Sequence, residues 1–292
     1  MREVQTQVAE RDELIEVIAI ALLTRKNVFV LGDTGQAKSA VINLFRDGLT
    51  GARQFERLMS KQADEEALFG RLDLSSLIPG GVPEEILEED ALYQEMRRDL
   101  ETLVLNYRRG DASFGQQLEL ATTELERYRK ALSELHGGEP RIITKGKLPD
   151  SHIVFLDEIF KASDGILNAL LTALNERRFG ELAAVFDQVV VSVKRFKAIH
   201  IPTISFFSAS NEIPNFTNPE EKILKPLYDR FELKVVTEYV EDRAARLKIL
   251  KQQQAAPHLA QAPAAPITLE ELEAMQDDVR QVHILDSINE LM

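Results

Sequence analysis

NVFVLGDTGQAKS, residues 27–39, opens as a short valine-rich apolar run and closes on two glycines, a lysine and a serine. An apolar run bounded by glycine reads as a buried strand, and AVINLFRDGLTG (40–51) returns to helical spacing before its own glycines. A strand that turns through glycines straight into a helix is the setting of the phosphate-binding loop, whose backbone N–H groups curl inward toward phosphate oxygens. The predicted nucleotide-binding residues are therefore Gly32, Asp33, Thr34, Gly35, Gln36, Ala37, Lys38 and Ser39. In that loop Lys38 reaches the β and γ phosphates and the Ser39 hydroxyl ligates magnesium. Ala37 stands where the general pattern has glycine. A generic glycine-rich turn is the alternative, and the flanking strand and helix argue against it.

Working outward, DELIEVIAIALLT (12–24) carries apolar residues at helical spacing before this strand. The same alternation returns with HIVFLDEI (152–159), TISFFSAS (203–210) and FELKVV (231–236). Buried strands separated by helices predict a three-layer α/β fold with a mainly parallel sheet. In IVFLDEI, four apolar residues deliver Asp157 and Glu158 to the end of a buried strand, where two carboxylates are costly unless used. Asp157 is the candidate magnesium ligand and Glu158 the group that polarises the attacking water. The bland alternative is an acid pair capping the next helix. FFSASNEIP is another strand ending in a polar cluster, where Asn211 either bonds the γ-phosphate or its water, or simply forms a turn. In LYDRF, Arg230 closes a helix, a place where arginine also serves as a dipole partner.

The stretch 84–135 is different: highly charged, with apolar residues in a heptad rhythm. Leu118, Ala121, Leu125, Tyr128, Leu132 and Leu135 form one stripe, and Leu92, Met96, Leu100, Leu103 and Tyr107 another, on either side of the turn Arg109-Gly110-Asp111. Two antiparallel helices over 84–137 are expected, either protruding as a coiled-coil hairpin or packed as ordinary helices. KQQQAAPHLAQAPAAPI (251–267) has three prolines and few large apolar groups, so it reads as a linker. Thr268 and Glu271 then form a capping-box pattern that starts a helix.

Composition narrows the function classes. With 44% hydrophobic side chains over 292 residues, the chain can bury one large core and a smaller satellite. No apolar run approaches the roughly 20 residues of a membrane helix, and MREVQTQVAERDELIE is too polar for a secretory signal, so a cytoplasmic location is expected. The absence of cysteine removes disulfides, thiolate zinc sites and cysteine nucleophiles. A formal charge of −13 argues against a grip on nucleic acid. The basic clusters Arg177-Arg178 and Lys194-Arg195-Phe196-Lys197 read as solvated surface.

Taken in order, LGDTGQAKS, IVFLDEI, LLTALNERRF, SASNEIP and LYDRF resemble the MoxR branch of AAA+ ATPases, and look most like its RavA-type members. The resemblance covers roughly residues 10–85 and 140–250, and that branch itself tolerates the alanine before the loop lysine. It implies a five-stranded sheet of order 5-1-4-3-2, a hexameric ring of identical subunits, and ATP with Mg2+ bound between neighbours. It makes Lys38 and Ser39 the Walker A residues, Asp157 and Glu158 the Walker B pair, Asn211 the sensor-1 residue and Arg230 an arginine finger acting in trans. The expected organisation is an ATP-binding core over 1–250 with the hairpin inserted at 84–137, a linker over 251–267, and the truncated start of a helical lid over 268–292. Three departures stand out: an enlarged helix-2 insert, an unusually long stretch FGELAAVFDQVVVSVKRFKAIHIP (179–202), and a shortened lid in which Arg280 falls early for the sensor-2 arginine. The implied function is an ATP-driven remodelling factor acting on a protein client, with a von Willebrand factor A domain as the suggested partner. A nucleotide-gated scaffold with little turnover, motivated by the short lid, is the alternative; a nucleic-acid motor is disfavoured by charge.

Overall fold

The computed structural model describes residues 4–282 except 6, 7, 9, 34, 35, 109–113, 138–140, 180–198, 220, 241, 245 and 248–265. The turn expected at 109–111, the linker up to residue 265, most of the long stretch after Phe179 and the last ten residues lie outside the described residues. The principal helices, in chain order, are α1 (Asp12–Thr24), α2 (Lys38–Asp47), α3 (Ala91–Arg108), α4 (Gly115–His136), α5 (Asp164–Glu176), α6 (Lys225–Tyr228) and α7 (Leu269–Arg280). The chain divides into two compact units, one of residues 1–69, 145–179 and 199–292, the other of 70–144 and 180–198.

The first unit is built on a sheet of β1 (Val28–Leu31), β2 (Gln54–Leu58), β3 (Ile153–Asp157), β4 (Ser205–Ser210) and β5 (Leu233–Val236). Their order is β5-β1-β4-β3-β2, the 5-1-4-3-2 arrangement expected, and every neighbouring pair is parallel. Parallel strands covered on both faces need near-continuous apolar sequence. Ile153 to Leu156 of β3 are accordingly all buried, as is every residue of β4. The serines of β4 enter this core because their hydroxyls are satisfied there: Ser205 Oγ donates to Ala21 O at 3.0 Å and Ser208 Oγ to Leu156 O at 3.0 Å. At the sheet edge, β2 buries Phe55 and exposes Glu56, Arg57 and Leu58, the charged surface that protects an open edge.

Helix α1 presents Leu14, Ile15, Ile18, Ala21 and Leu22 to the core. The apolar face of α2, Val41, Ile42 and Leu44, joins the same cluster. Helix α7 opens with the expected capping box, Thr268 Oγ1 accepting from Glu271 N at 3.1 Å and Glu271 Oε2 from Thr268 N at 2.9 Å. Just before it, Ile267 and Thr268 pair in parallel with Leu49 and Thr50. Leu272 is buried in the main core, and Gln276 Nε2 donates to Leu22 O, in the last turn of α1, at 2.7 Å. Arg280 is exposed and paired with Asp277 at 2.8 Å.

One basic cluster is not the solvated surface its sequence suggested. Arg177, which ends α5 in the left-handed region, lies 4.7 Å from the centroid of the Phe206 ring and donates to Asn27 Oδ1 at 2.8 Å. Burial pulls its pKa down to about 10. Arg178 beside it is exposed.

In the second unit α3 and α4 pack together, as the heptad rhythm predicted. Its core is Val82, Tyr93 and Leu132, with Leu125 and Tyr128 packed against it. The ends of the predicted stripes are corrected: Leu92, Tyr107 and Leu135 are exposed, and Tyr93 takes the place expected for Leu92. The Tyr128 hydroxyl donates to the Asp90 carboxylate at 3.0 Å. This unit reaches beyond the span 84–137, because Arg71–Leu72 pair antiparallel with Ile142–Ile143, and Asp73 accepts from Ser75 N at 2.9 Å and Glu84 N at 2.8 Å. Among the described residues no helix is long and apolar enough to cross a membrane.

Candidate functional site

Register fixes where the site lies. Leu31 of β1 pairs with Ser210 of β4, and Asp157 of β3 pairs with Ala209. The carboxyl ends of three central strands therefore meet, and the residues that follow each strand converge there, as ligand-binding residues of open α/β sheets do. Gly32 N donates to Ser210 O at 3.1 Å and Glu158 N to Ala209 O at 2.7 Å, stitching the three strand exits together.

Lys38 is buried at the first position of α2. Its ammonium donates to the carbonyl oxygens of Gly32 and Asp33, the latter at 3.2 Å, and to Asn211 Oδ1 at 3.0 Å. Two sequence-predicted residues 173 positions apart are thus in contact. Desolvation lowers the Lys38 pKa, and the charges of Asp157, Glu158 and Asp33 oppose that fall. The ammonium is a cation held among acceptors in a partly dry site, the setting in which charge-assisted hydrogen bonds to an anion are strongest.

Burial raises the Asp157 pKa first and the Glu158 charge adds to it, while the Glu158 N–H and Lys38 act in the opposite sense. A carboxylate so placed gains from a nearby divalent cation. Among the described residues no group of three or more His, Cys, Asp or Glu side chains could hold a metal. Asp157 at the end of β3 and the half-buried Ser39 in the first turn of α2 are hard oxygen groups of the kind that could hold magnesium together with phosphate oxygens and water. Glu158 adopts φ 55°, ψ 44° at the turn out of β3, and its carboxylate pairs with Lys161 at 3.3 Å. Left-handed backbone at a glutamate is a conformation that surrounding structure must impose, and such residues cluster at functional sites.

The loop itself explains its glycine and its alanine. A Cβ at Gly32 would collide with Thr237 Oγ1 and Gln36 Oε1, so the first position accepts no side chain. Ala37 has φ 58°, ψ 19°, the left-handed region in which glycine is at ease and alanine is strained by roughly 1–2 kcal/mol. Replacing Ala37 by glycine is accordingly expected to leave the melting temperature unchanged or raise it slightly, the relieved strain being partly offset by unfolded-chain entropy. Ala37→Val, β-branched in the same region, is expected to lower it by several degrees; thermal denaturation of the two variants side by side checks both. Thr34 and Gly35 lie outside the described residues.

Arg230 stands apart from this constellation. It is exposed after α6, and its carbonyl accepts from Asn27 Nδ2 at 3.0 Å, at the amino end of β1. The strand between it and Gly32 is about 13 Å long at the usual rise per residue, beyond an arginine side chain's reach. Within one copy, Arg230 is not among the residues gathered around Lys38.

Two residues that sequence reasoning passed over do belong here. Arg11, buried at the start of α1, donates to Gln36 O at 3.0 Å, and Thr237, just past β5, donates to Gln36 Oε1 at 2.6 Å. No spacing rule signals either: an arginine before an amphipathic helix reads as solvated, and a threonine after a strand as a turn. Beside them a cleft of about 600 Å³ is lined by Glu10, Arg11, Leu14, Val236, Thr237 and Tyr239, among others.

Comparison with known proteins accords with this geometry. The family described as the MoxR domain in the MoxR-vWA-beta-propeller ternary systems matches residues 1–92 and 129–277, leaving out most of the α3–α4 hairpin. Two uncharacterized proteins of Methanocaldococcus jannaschii are similar along 99% of the chain, one 27% identical over 292 residues and the other 26% identical over 290. The chain spans about half the length of these curated relatives, 55% and 56%. The crystal structure of a "putative ATPase" from Cytophaga hutchinsonii superposes with a TM-score of 0.56 at 13% identity, covering 99% of this chain and 64% of that one. At that identity the likeness speaks for the fold.

Proposed function

The chain belongs to the MoxR family of AAA+ ATPases, and from that premise we propose that it binds ATP with Mg2+ on residues 32–39 and hydrolyses it in an oligomeric ring, remodelling a partner protein. The observation that carries the reading is the meeting of Lys38 with Asn211 at 3.0 Å, in a site where the charges of Asp157 and Glu158 act on the same ammonium. Three chain segments converge on one place for which phosphate and a divalent cation are the fitting occupants.

In this reading Lys38 and the amides of the loop hold the phosphates. Ser39 and Asp157 would hold magnesium, which when bound offsets phosphate charge. Asn211 orients the γ-phosphate or the attacking water. Glu158 polarises that water: its oxygen bonds the γ-phosphorus as the bond to the bridging oxygen breaks, and its proton passes to the carboxylate. The cleft beside Arg11 and Thr237 adjoins the loop and has the size of a small-molecule site, which supports a place there for the base. Arg230 of an adjacent copy completes the charge stabilisation, since the residue lies out of reach of its own site. The family description, which joins a MoxR domain to von Willebrand factor A and β-propeller components, supports a partner of the former kind.

Lys38→Ala tests the core of the proposal. Removing a charge-assisted contact to the phosphates is expected to weaken ATP binding by about 100-fold, measured by titration calorimetry with MgATP. Unchanged affinity would show that ATP binds elsewhere.

A further inference from the structure

The three hydrogen bonds of the Arg11 guanidinium tie together segments far apart in sequence. Nε donates to Gln36 O at 3.0 Å, one terminal nitrogen to Glu10 O at 2.6 Å, and the other to Glu238 O at 2.9 Å. The acceptors belong to the entry of α1, the loop before α2 and the segment leaving β5, and Arg11 itself is 7% exposed. Three carbonyls at one guanidinium use its planar fork in a way that a lysine ammonium cannot reproduce.

The grip falls at a telling point of the loop. In a trans peptide the C=O and the following N–H point in opposite directions. With Gln36 O turned to Arg11, the N–H of Ala37 points away from it. Ala37 takes its left-handed φ of 58° one residue after the carbonyl that Arg11 holds. The Gln36 side chain is fixed as well, its Oε1 accepting from Thr237 Oγ1 at 2.6 Å, while Thr237 N donates to Leu31 O at 2.7 Å. The last turn before Lys38 is thereby braced from α1 on one side and from the exit of β5 on the other.

We infer that Arg11 is a positioning residue for nucleotide binding, holding the Gln36–Ala37 peptide so that its N–H faces the phosphates. The inference rests on the reading of residues 32–39 as the nucleotide loop. Its selectivity follows from placement: Arg11 reaches the loop and the β5 exit, whereas Asp157 ends β3, Glu158 follows it and Asn211 follows β4. Loss of Arg11 therefore loosens the grip on phosphate while leaving the water-activating groups in place. A purely structural arginine would behave differently, lowering the fraction of folded protein and with it kcat at unchanged KM.

The test compares wild type, Arg11→Met, which keeps bulk, and Arg11→Lys, which keeps charge. Kd for MgATP comes from displacement of a fluorescent ATP analogue, kcat and KM from phosphate release, and the folded fraction from circular dichroism. Arg11→Met is expected to raise Kd and KM about tenfold with kcat within about twofold, and Arg11→Lys to fall between it and wild type. Wild-type Kd and KM in Arg11→Met would overturn the inference, as would a fall in kcat at unchanged KM. If Arg11→Met does not fold, Arg11→Lys decides alone, by the same shift in Kd or its absence. Failure of wild type to bind MgATP, or undiminished binding by Lys38→Ala, would instead overturn the nucleotide reading itself.

Discussion

Glu158→Gln is expected to bind MgATP about as tightly as wild type and to hydrolyse it about 10²–10⁴-fold more slowly, the usual contribution of a positioned general base. The amide matches the carboxylate in shape but cannot take a proton from water. The substitution also deletes the ion pair with Lys161, a contact whose lysine is well exposed and which contributes little to stability. The left-handed backbone at residue 158 tolerates glutamine as it does glutamate, so the fold is expected to persist. Single-turnover phosphate release, with bound nucleotide measured in parallel, separates the two effects. A variant that loses binding together with turnover would assign Glu158 a structural role.

Arg230→Ala is expected to reduce kcat by about 10³-fold or more, the range in which a trans arginine contributes to phosphoryl transfer, and to leave the affinity of an isolated subunit for ATP untouched. Geometry motivates the asymmetry: Arg230 lies at the amino end of β1, at the opposite end of the strand from Gly32. Mixing supplies the decisive readout. Arg230→Ala supplies an intact Walker pair and Glu158→Gln supplies an intact arginine, so an equimolar mixture should recover activity that neither variant has alone. No recovery at any mixing ratio, with assembly verified, would place the effect of Arg230 within its own chain.

Much of this site was legible because buried strands advertise themselves. Val28–Leu31 and Ile153–Leu156 are nearly unbroken apolar runs because the sheet is covered on both faces, Ser205–Ser210 sets serines among apolar residues in the same core, and the residues that follow each strand are where chemistry can begin. That is why Gly32, Asp157, Glu158 and Asn211 could be named before any coordinates. Strand β2 left no such trace. QFERL buries Phe55 at the sheet edge and exposes Glu56 and Arg57, and a half-covered edge strand with charges outside has no apolar run to read. Its place in the sheet came only from the resemblance of the other segments to a family.

The unread parts share one physical cause, long-range satisfaction of polar groups. Arg11 is buried because three carbonyls, two of them distant in sequence, receive its protons, and Arg177 is half-buried against Asn27 and the face of the Phe206 ring. Neither fact is encoded in the neighbouring residues. The hairpin shows the converse limit: the heptad spacing found the helices, but burial at their base was decided by Val82, a residue outside both. Tyr93 and Leu132 are the buried members, and Leu92 and Leu135 remain in solvent.

The measurement closest to the central claim is steady-state phosphate release from MgATP by the wild-type chain over a range of protein concentrations, with Lys38→Ala as the background. Saturable turnover above that background is expected, with specific activity rising as copies associate and one subunit's Arg230 meets the next subunit's site. Tight MgATP binding with no release above background at any concentration would contradict it, leaving a nucleotide-binding scaffold in place of an ATPase.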